Sequence, residues 1–203
     1  MSIQIKEVLT KKDIRAFIDF AHELYKDDPL YVPELYMAQK EMFDTKKYPF
    51  YEYGKVKSYL AFANDKIVGR ISAIDNPRYN EYHDCSVGFF GFFDSINDTK
   101  VSTALLDKAS SFAKANGYQQ IIGPTNFTTN ETAGLVVKGY EYSNQVMMTY
   151  NAPYYLDLMN DYGLQKEMDM FAYFIPTLEA SEKSIRLSKL LAQRLENQGI
   201  TIR

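Results

Sequence analysis

"GFFGFFDSINDTK", Gly88 to Lys100, decides how the rest of the chain is read. Both alternating faces of Cys85 to Phe93 are apolar, so this strand is buried on both sides and belongs at the centre of a sheet. A polar turn follows at once, and the turn opens a helix. Thr99 to Asn116 carries Val101, Leu105, Ala109 and Phe112 as an apolar stripe, and Gly117 suits its C-terminal cap. A strand running into a helix N-terminus is where a phosphate-bearing ligand is commonly held. Glycines usually shape such a turn, yet none follows Gly91 here; Asp94 and Asp98 stand in their place.

Upstream, Ile3, Ile5 and Val8 alternate as a first strand, and Asp13 to Tyr25 reads as an amphipathic helix. Pro29 ends that helix region, and Pro33 opens a second helix to about Phe43. Val56–Asn64 and Ile67–Ile74 form a hairpin about Asn64-Asp65-Lys66, and Asn76–Asp84 reads as a polar loop. Downstream, Gln119–Ile122 is a short strand stopped by Gly123-Pro124. Val146–Asn151 reads as a strand, Pro153–Tyr162 as a helix ended by Gly163, and Met168–Ile175 as a further strand. Leu178–Asn197 is a separate amphipathic helix, and Ile200-Thr201-Ile202 echoes Ile3-Gln4-Ile5 as the start of a repeated unit. The organisation read from this is a main domain over 1–176, a linker helix over 177–198, and the first strand of a second unit over 199–203.

Composition narrows the function. The 203 residues are 46% apolar, enough for a real core, and the net charge of -3 supplies no basic field for nucleic acid or anionic membrane. The longest apolar run, Val87 to Phe93, is far short of a membrane span. One cysteine, Cys85, allows no internal disulfide and fits a reducing, cytoplasmic setting. Two distant histidines and that cysteine give no metal-ligand spacing. The chain has 17 Tyr and 13 Phe but no Trp, a composition that suits a ligand cleft with apolar bodies and wet tips.

The element order resembles the GNAT superfamily of N-acyltransferases. The resemblance is closest to an uncharacterised two-domain GNAT-like acyltransferase group, of which this chain resembles the N-terminal half. It rests on "DPLYVPEL" (Asp28–Leu35), "VGRISAIDN" (Val68–Asn76), "GFFGFFDS" (Gly88–Ser95), "GPTNFTTNETAGLVVKGY" (Gly123–Tyr140) and "YYLDLMNDYGL" (Tyr154–Leu164). It implies an α/β (α+β) fold with a mixed, mostly antiparallel sheet flanked by helices. It also implies acyl-CoA as co-substrate, without a metal, and direct attack of an amine on the thioester. The acceptor is then a small molecule, with lipid-like amines compatible with the aromatic richness. Two other functions stay open: a non-catalytic GNAT-like ligand-binding domain, and an aminoacyl transferase of the tandem-GNAT kind.

The resemblance also assigns residues. The wedge strand Cys85–Phe93 would pair its backbone with the pantetheine arm, making Gly91, Phe92, Phe93 and Asp94 cofactor-binding, with Asn130 beside them. Asn126 would hold a carbonyl oxygen, and Glu131 would accept a proton from the amine. Tyr155 matches the position that protonates the departing thiolate, with Tyr154 or Tyr150 as substitutes. Asn130 has a second reading as a helix N-cap, and Asp98 as the cap of its own helix. The departure lies in the quoted turn. A carboxylate about 5 Å from a phosphate costs roughly 3 kcal/mol per charge pair at an effective dielectric near 20. Asp94 and Asp98 are therefore expected to weaken the grip on pyrophosphate, and Asp94→Asn to tighten it.

Overall fold

The computed structural model describes residues 2–174 and 181–200. They fall into two units, 1–166 and 167–203, each described by itself. The first unit is built on five strands: β1 (Gln4–Glu7), β2 (Lys55–Ala63), β3 (Lys66–Asp75), β4 (Val87–Ser95) and β5 (Gln120–Ile122). They lie in the order β1-β2-β3-β4-β5. The first four pair antiparallel, and β5 runs parallel to β4. The helices of this unit are α1 (Lys11–Leu24), α2 (Tyr36–Met42), α3 (Pro77–His83), α4 (Thr99–Ala115) and α5 (Tyr155–Tyr162). The fold is thus α/β with a mixed, mostly antiparallel sheet.

Local chemistry explains most boundaries. Thr10 and Asp13 close α1 with a reciprocal capping box. Asn64 and Asp65 both take positive φ, as the tight β2–β3 hairpin requires. Asp98 caps α4 by accepting the Lys100 N–H, and Gly163 ends α5 at φ 91°.

Every residue of β4 is buried. That burial does not come from a central position, because β3 is the middle strand and only β5 lies beyond β4. It comes from cover on both faces. Val101, Leu105, Leu106 and Ala109 of α4 pack with Phe90 and Phe93 on one face, while Phe17, Ile18 and Phe43 pack with Phe89 and Phe92 on the other. Strict alternation would send Phe89 and Phe93 to the same face. One extra residue in β4, between the pairs Ser72↔Gly91 and Arg70↔Asp94, prevents this. Phe92 sits in that bulge at φ 47°, and the bulge sends Phe93 to the α4 face.

Three readings of the chain are corrected. Asn76–Asp84 is not a loop: Asn76 caps α3 by accepting from the Tyr79 N–H, with Pro77 at the first helical position. Val146–Asn151 forms no strand; its buried Asn151 bonds instead to the backbone of Val136. Residues 168–174 carry no strand either, and Met168, Met170, Phe171, Tyr173 and Phe174 are exposed. Apolar pattern makes a strand only where an edge is available to pair it. Ile175 and Thr201–Arg203 lie outside the described residues, and Ile200 is in no strand. The second unit contains α6 (Glu182–Asn197), capped by Ser181 through the Ser184 N–H. No helix among the described residues is long and apolar enough to cross a membrane.

Candidate active site

The site begins where β4 and β5 part. They pair as Val87↔Gln120, Gly88↔Ile121 and Phe89↔Ile122, and then Gly123 and a cis Pro124 turn the chain out of the sheet. Two contacts keep the departing loop beside β4. The Thr125 N–H donates to the Phe90 carbonyl (2.7 Å), and the Phe92 N–H donates to Asn126 Oδ1 (2.8 Å). The approach is close enough that a Cβ on Gly91 would lie 2.1 Å from the Thr125 carbonyl oxygen. A bulge, a glycine and an asparagine side chain together open the splay.

Beyond the bulge, side chains meet the free edge of β4. Alternation from the pair Arg70↔Asp94 turns the Phe93 and Ser95 backbone away from β3. The Ser95 N–H donates to the Tyr155 hydroxyl (3.0 Å), and the Tyr154 hydroxyl donates to the Ser95 carbonyl (2.6 Å). Among the described residues, no loop or side chain bonds the Phe93 backbone. Phe93 is therefore the open position on this edge.

Asp94 points inward to a buried polar network. Its Oδ2 accepts from Arg70 Nε at 2.7 Å, and Arg70 Nη1 also donates to the Phe17 carbonyl (2.8 Å). The other oxygen, Oδ1, accepts from the Tyr25 and Tyr155 hydroxyls (3.3 and 3.2 Å), and Tyr25 also donates to the Tyr155 oxygen (2.7 Å). Burial first, and the Asp94 charge second, push both phenols far above their ordinary range. The same two causes raise Tyr31 and Tyr154 to about 12. These hydroxyls stay protonated, and those of Tyr25, Tyr154 and Tyr155 act as hydrogen-bond donors.

A cleft opens over Phe92, Phe93 and Asp94. Ala21 and Tyr25 of α1, Glu34 and Gln39 around the start of α2, Pro124–Asn126 and the segment from Asn144 to Asn151 form its walls. Asn144 stitches two walls together, accepting from the Val32 N–H and donating to the Val32 carbonyl (both 2.9 Å).

Of the residues singled out by sequence, Asn126, Phe92, Phe93, Asp94 and Tyr150 come together in this cleft. Gly91 lies against Thr125, behind the loop. Tyr155 is fully buried beneath the cleft, and its hydrogen bonds to Tyr25 and Asp94 link it to the surface of the cavity. Glu131 and Asn130 are not among the lining residues. The Glu131 carboxylate accepts from Tyr48 (2.7 Å) and from the backbone and hydroxyl of Thr128. Asn130 heads no helix, and its N–H donates to Thr128 Oγ1. The loop here is closed by the bridge Thr125↔Ala133, which leaves no helix to cap. The expected repulsion by Asp94 meets a counter-charge: its carboxylate is paired with the buried Arg70, whereas Asp98 stays on the turn as the cap of α4.

The fold is shared with solved acetyltransferases. The structure matches aminoglycoside N-acetyltransferase AAC(6')-Iy, solved with a CoA-containing bisubstrate analogue, at a TM-score of 0.51. Identity is 11%, over 87% of this chain and 99% of that one. It also matches a "predicted acetyltransferase" of Clostridium acetobutylicum, solved with acetyl-CoA, at a TM-score of 0.50 and 11% identity, over 88% of this chain and 98% of that one. The chain has the GNAT fold. No family model matches it. Among curated proteins, it is 30% identical over 199 residues to protein YghO of Escherichia coli (strain K12), which covers 98% of this chain and 50% of that protein. It is 29% identical over 172 residues to bacterial ceramide synthase of Caulobacter vibrioides, over 84% of this chain and 45% of that protein. The chain spans about half the length of the curated relatives it matches.

Sequence reasoning missed Arg70, Tyr25, Glu34 and Gln39. Arg70 had a visible signal: it is a lone charge inside the apolar run Ile67–Ile74, and a charge in a buried strand demands a partner. Tyr25, Glu34 and Gln39 carried none, because the tertiary approach of α1 and α2 to β4 is what brings them to the cleft.

Proposed function

We propose that this GNAT-fold chain is an acyl-CoA-dependent N-acyltransferase, with the cleft over Phe92–Asp94 as its active site. The observation that carries the reading is the open backbone of Phe93 at the β4–β5 splay. An extended amide chain such as pantetheine pairs with an edge of this kind as an added strand does. The thioester then lies by the bulge. Asn126 has committed its oxygen to Phe92, so only its NH2 group remains to donate to the thioester oxygen as negative charge develops there.

The amine enters from the α2 wall. Its nitrogen lone pair attacks the thioester carbon, a C–N bond forms, and the C–S bond breaks. The proton lost by nitrogen leaves to solvent or to Glu34, the exposed carboxylate that lines the cleft. The thiolate departs with a pKa near 8.5, so it needs little assistance. Tyr155 serves this reaction chiefly by holding Ser95 and Asp94 in place, with Tyr25 between it and the cleft. Glu131 acts through the loop, whose conformation its bonds to Tyr48 and Thr128 maintain.

The half-length match to a ceramide synthase supports a long-chain acyl donor or a lipid-like amine. The test is titration with acetyl-, octanoyl- and palmitoyl-CoA, followed by thiol release on adding amines. Affinity should rise with chain length if the acyl tail is buried, each methylene contributing about 0.8 kcal/mol. If no acyl-CoA binds, or no primary amine, short or long-chain, provokes thiol release, the reading fails.

A further inference from the structure

Gln39 is the odd residue of the cleft. It lines the cavity, its residue surface is only 4% exposed, and its side-chain Oε1 has no hydrogen-bond partner. A buried polar atom without a partner is costly, and native proteins keep few of them. Its backbone is conventional: the N–H donates to the Leu35 carbonyl (3.1 Å) within α2. The missing bond belongs to the side chain alone.

Position gives that oxygen a use. Gln39 and Phe43 are four residues apart, so they share one face of α2 and its end. Phe43 packs on Phe92, with ring centroids 5.0 Å apart, at the bulge of β4. Gln39 therefore stands one helical turn from the contact that covers the bulge, facing the same cleft as Phe92, Phe93 and Asp94. None of the neighbouring polar groups bonds to it. Arg70 donates to Asp94 and Phe17, Tyr25 donates to Asp94 and Tyr155, and both ends of the Asn144 amide bond to Val32. That leaves the oxygen open to a donor brought by a ligand.

We propose that Gln39 is the acceptor-binding residue of this site: its Oε1 receives an N–H hydrogen of the attacking amine and orients the nitrogen toward the thioester. Glu34, on the same wall, adds the negative charge that draws an ammonium group into the cleft; the ammonium gives one proton to Glu34 or solvent before attack, and a second leaves to solvent as the C–N bond forms. The proposal rests on the acyltransferase reading for its purpose, but its core claim, N–H recognition by Gln39, is tested by binding alone.

The probes are octylamine and octyltrimethylammonium, which share a chain and a charge but differ in N–H donors. They are titrated into the full chain, with palmitoyl-CoA titrated separately. Octylamine is expected to bind the wild type about tenfold more tightly than octyltrimethylammonium, in line with the cost of leaving a buried acceptor unmade. Gln39→Met should erase that difference and leave palmitoyl-CoA affinity unchanged. Gln39→Glu, which keeps an acceptor oxygen, should retain the preference for octylamine. It also carries the test if the methionine variant fails to fold. The proposal is overturned if the two amines bind the wild type alike, if neither binds, if Gln39→Met keeps the preference, or if Gln39→Glu loses it. Intact N–H preference without thiol release from palmitoyl-CoA would sink the acyltransferase reading and leave the role of Gln39 in amine binding standing.

Discussion

The two halves of β4 are equally buried and held by different means. Val87–Phe89 is paired by main chain with β5 along its whole length, Phe89 is paired with β3 as well, and Asn80 bonds both backbone groups of Val87. Phe92–Ser95 has main-chain pairing only with β3, and its other edge is met by the side chains of Asn126, Tyr154 and Tyr155. Main-chain pairing closes an edge along its whole length. Side chains close it one group at a time, and here they leave Phe93 open. The edge proposed for binding is therefore a strand whose partner has been replaced, over four residues, by selected side chains.

The largest effect should come from the network under the open half. Asp94→Asn strands the Arg70 guanidinium in the core, where removing one member of a buried pair costs about 3–5 kcal/mol. Denaturant unfolding should show that loss, and acyl-CoA binding should weaken rather than tighten. A stable variant with stronger CoA binding would restore the idea that Asp94 repels phosphate. Next, Tyr155→Phe leaves the buried Ser95 N–H without its acceptor, at about 1–3 kcal/mol. Because the thiolate needs little help, kcat in the acyl-transfer assay should then fall less than tenfold at a temperature where the variant is folded. A loss of a thousandfold would make Tyr155 a proton donor after all.

A smaller effect is expected at the splay itself. Asn126→Ala frees the Phe92 N–H beside a cleft that water can enter, so stability should drop by only about 1 kcal/mol. The sharper readout is the KM for acyl-CoA, which should rise because the bulge is no longer held. An unchanged KM would show that the bulge needs no asparagine. Smallest is the alkaline response of the tyrosine-rich half. Tyrosines of the unfolded chain ionise near 10, whereas Tyr31 and Tyr154 in the fold ionise at about 12. Above pH 10 the unfolded chain has lost protons that the folded chain keeps. Stability is therefore full below pH 10 and falls as pH rises toward 12. Chemical denaturation at pH 9, 10.5 and 11.5 should show the decline, and Tyr31→Phe should lessen it. A flat profile in the wild type would remove the ionisation contrast.

Much of the architecture is written locally. The apolar run of β4, the stripe of α4, the Asn-Asp hairpin and the Gly123-Pro124 exit are each set by residues adjacent in the chain. So is the Asp98 cap, because a side chain reaches only its own first turn. Where local signals lacked a partner they misled: residues 168–174 have strand-like composition and no strand. The site is less local. Sequence placed Asn126, Phe92, Phe93 and Asp94 near one another through the wedge, but it read the Asp94 carboxylate as facing the pyrophosphate. Asp94 and Asp98 are four residues apart and of the same chemistry. Only the fold separates them, because the β4 bulge and the position of Arg70 on β3 turn the first into the core while the helix holds the second outside. The same holds for Gln39 and Tyr25. Their chemistry is ordinary in the sequence, and long-range packing of α1 and α2 against β4 is what leaves one without a partner and the other between Asp94 and Tyr155.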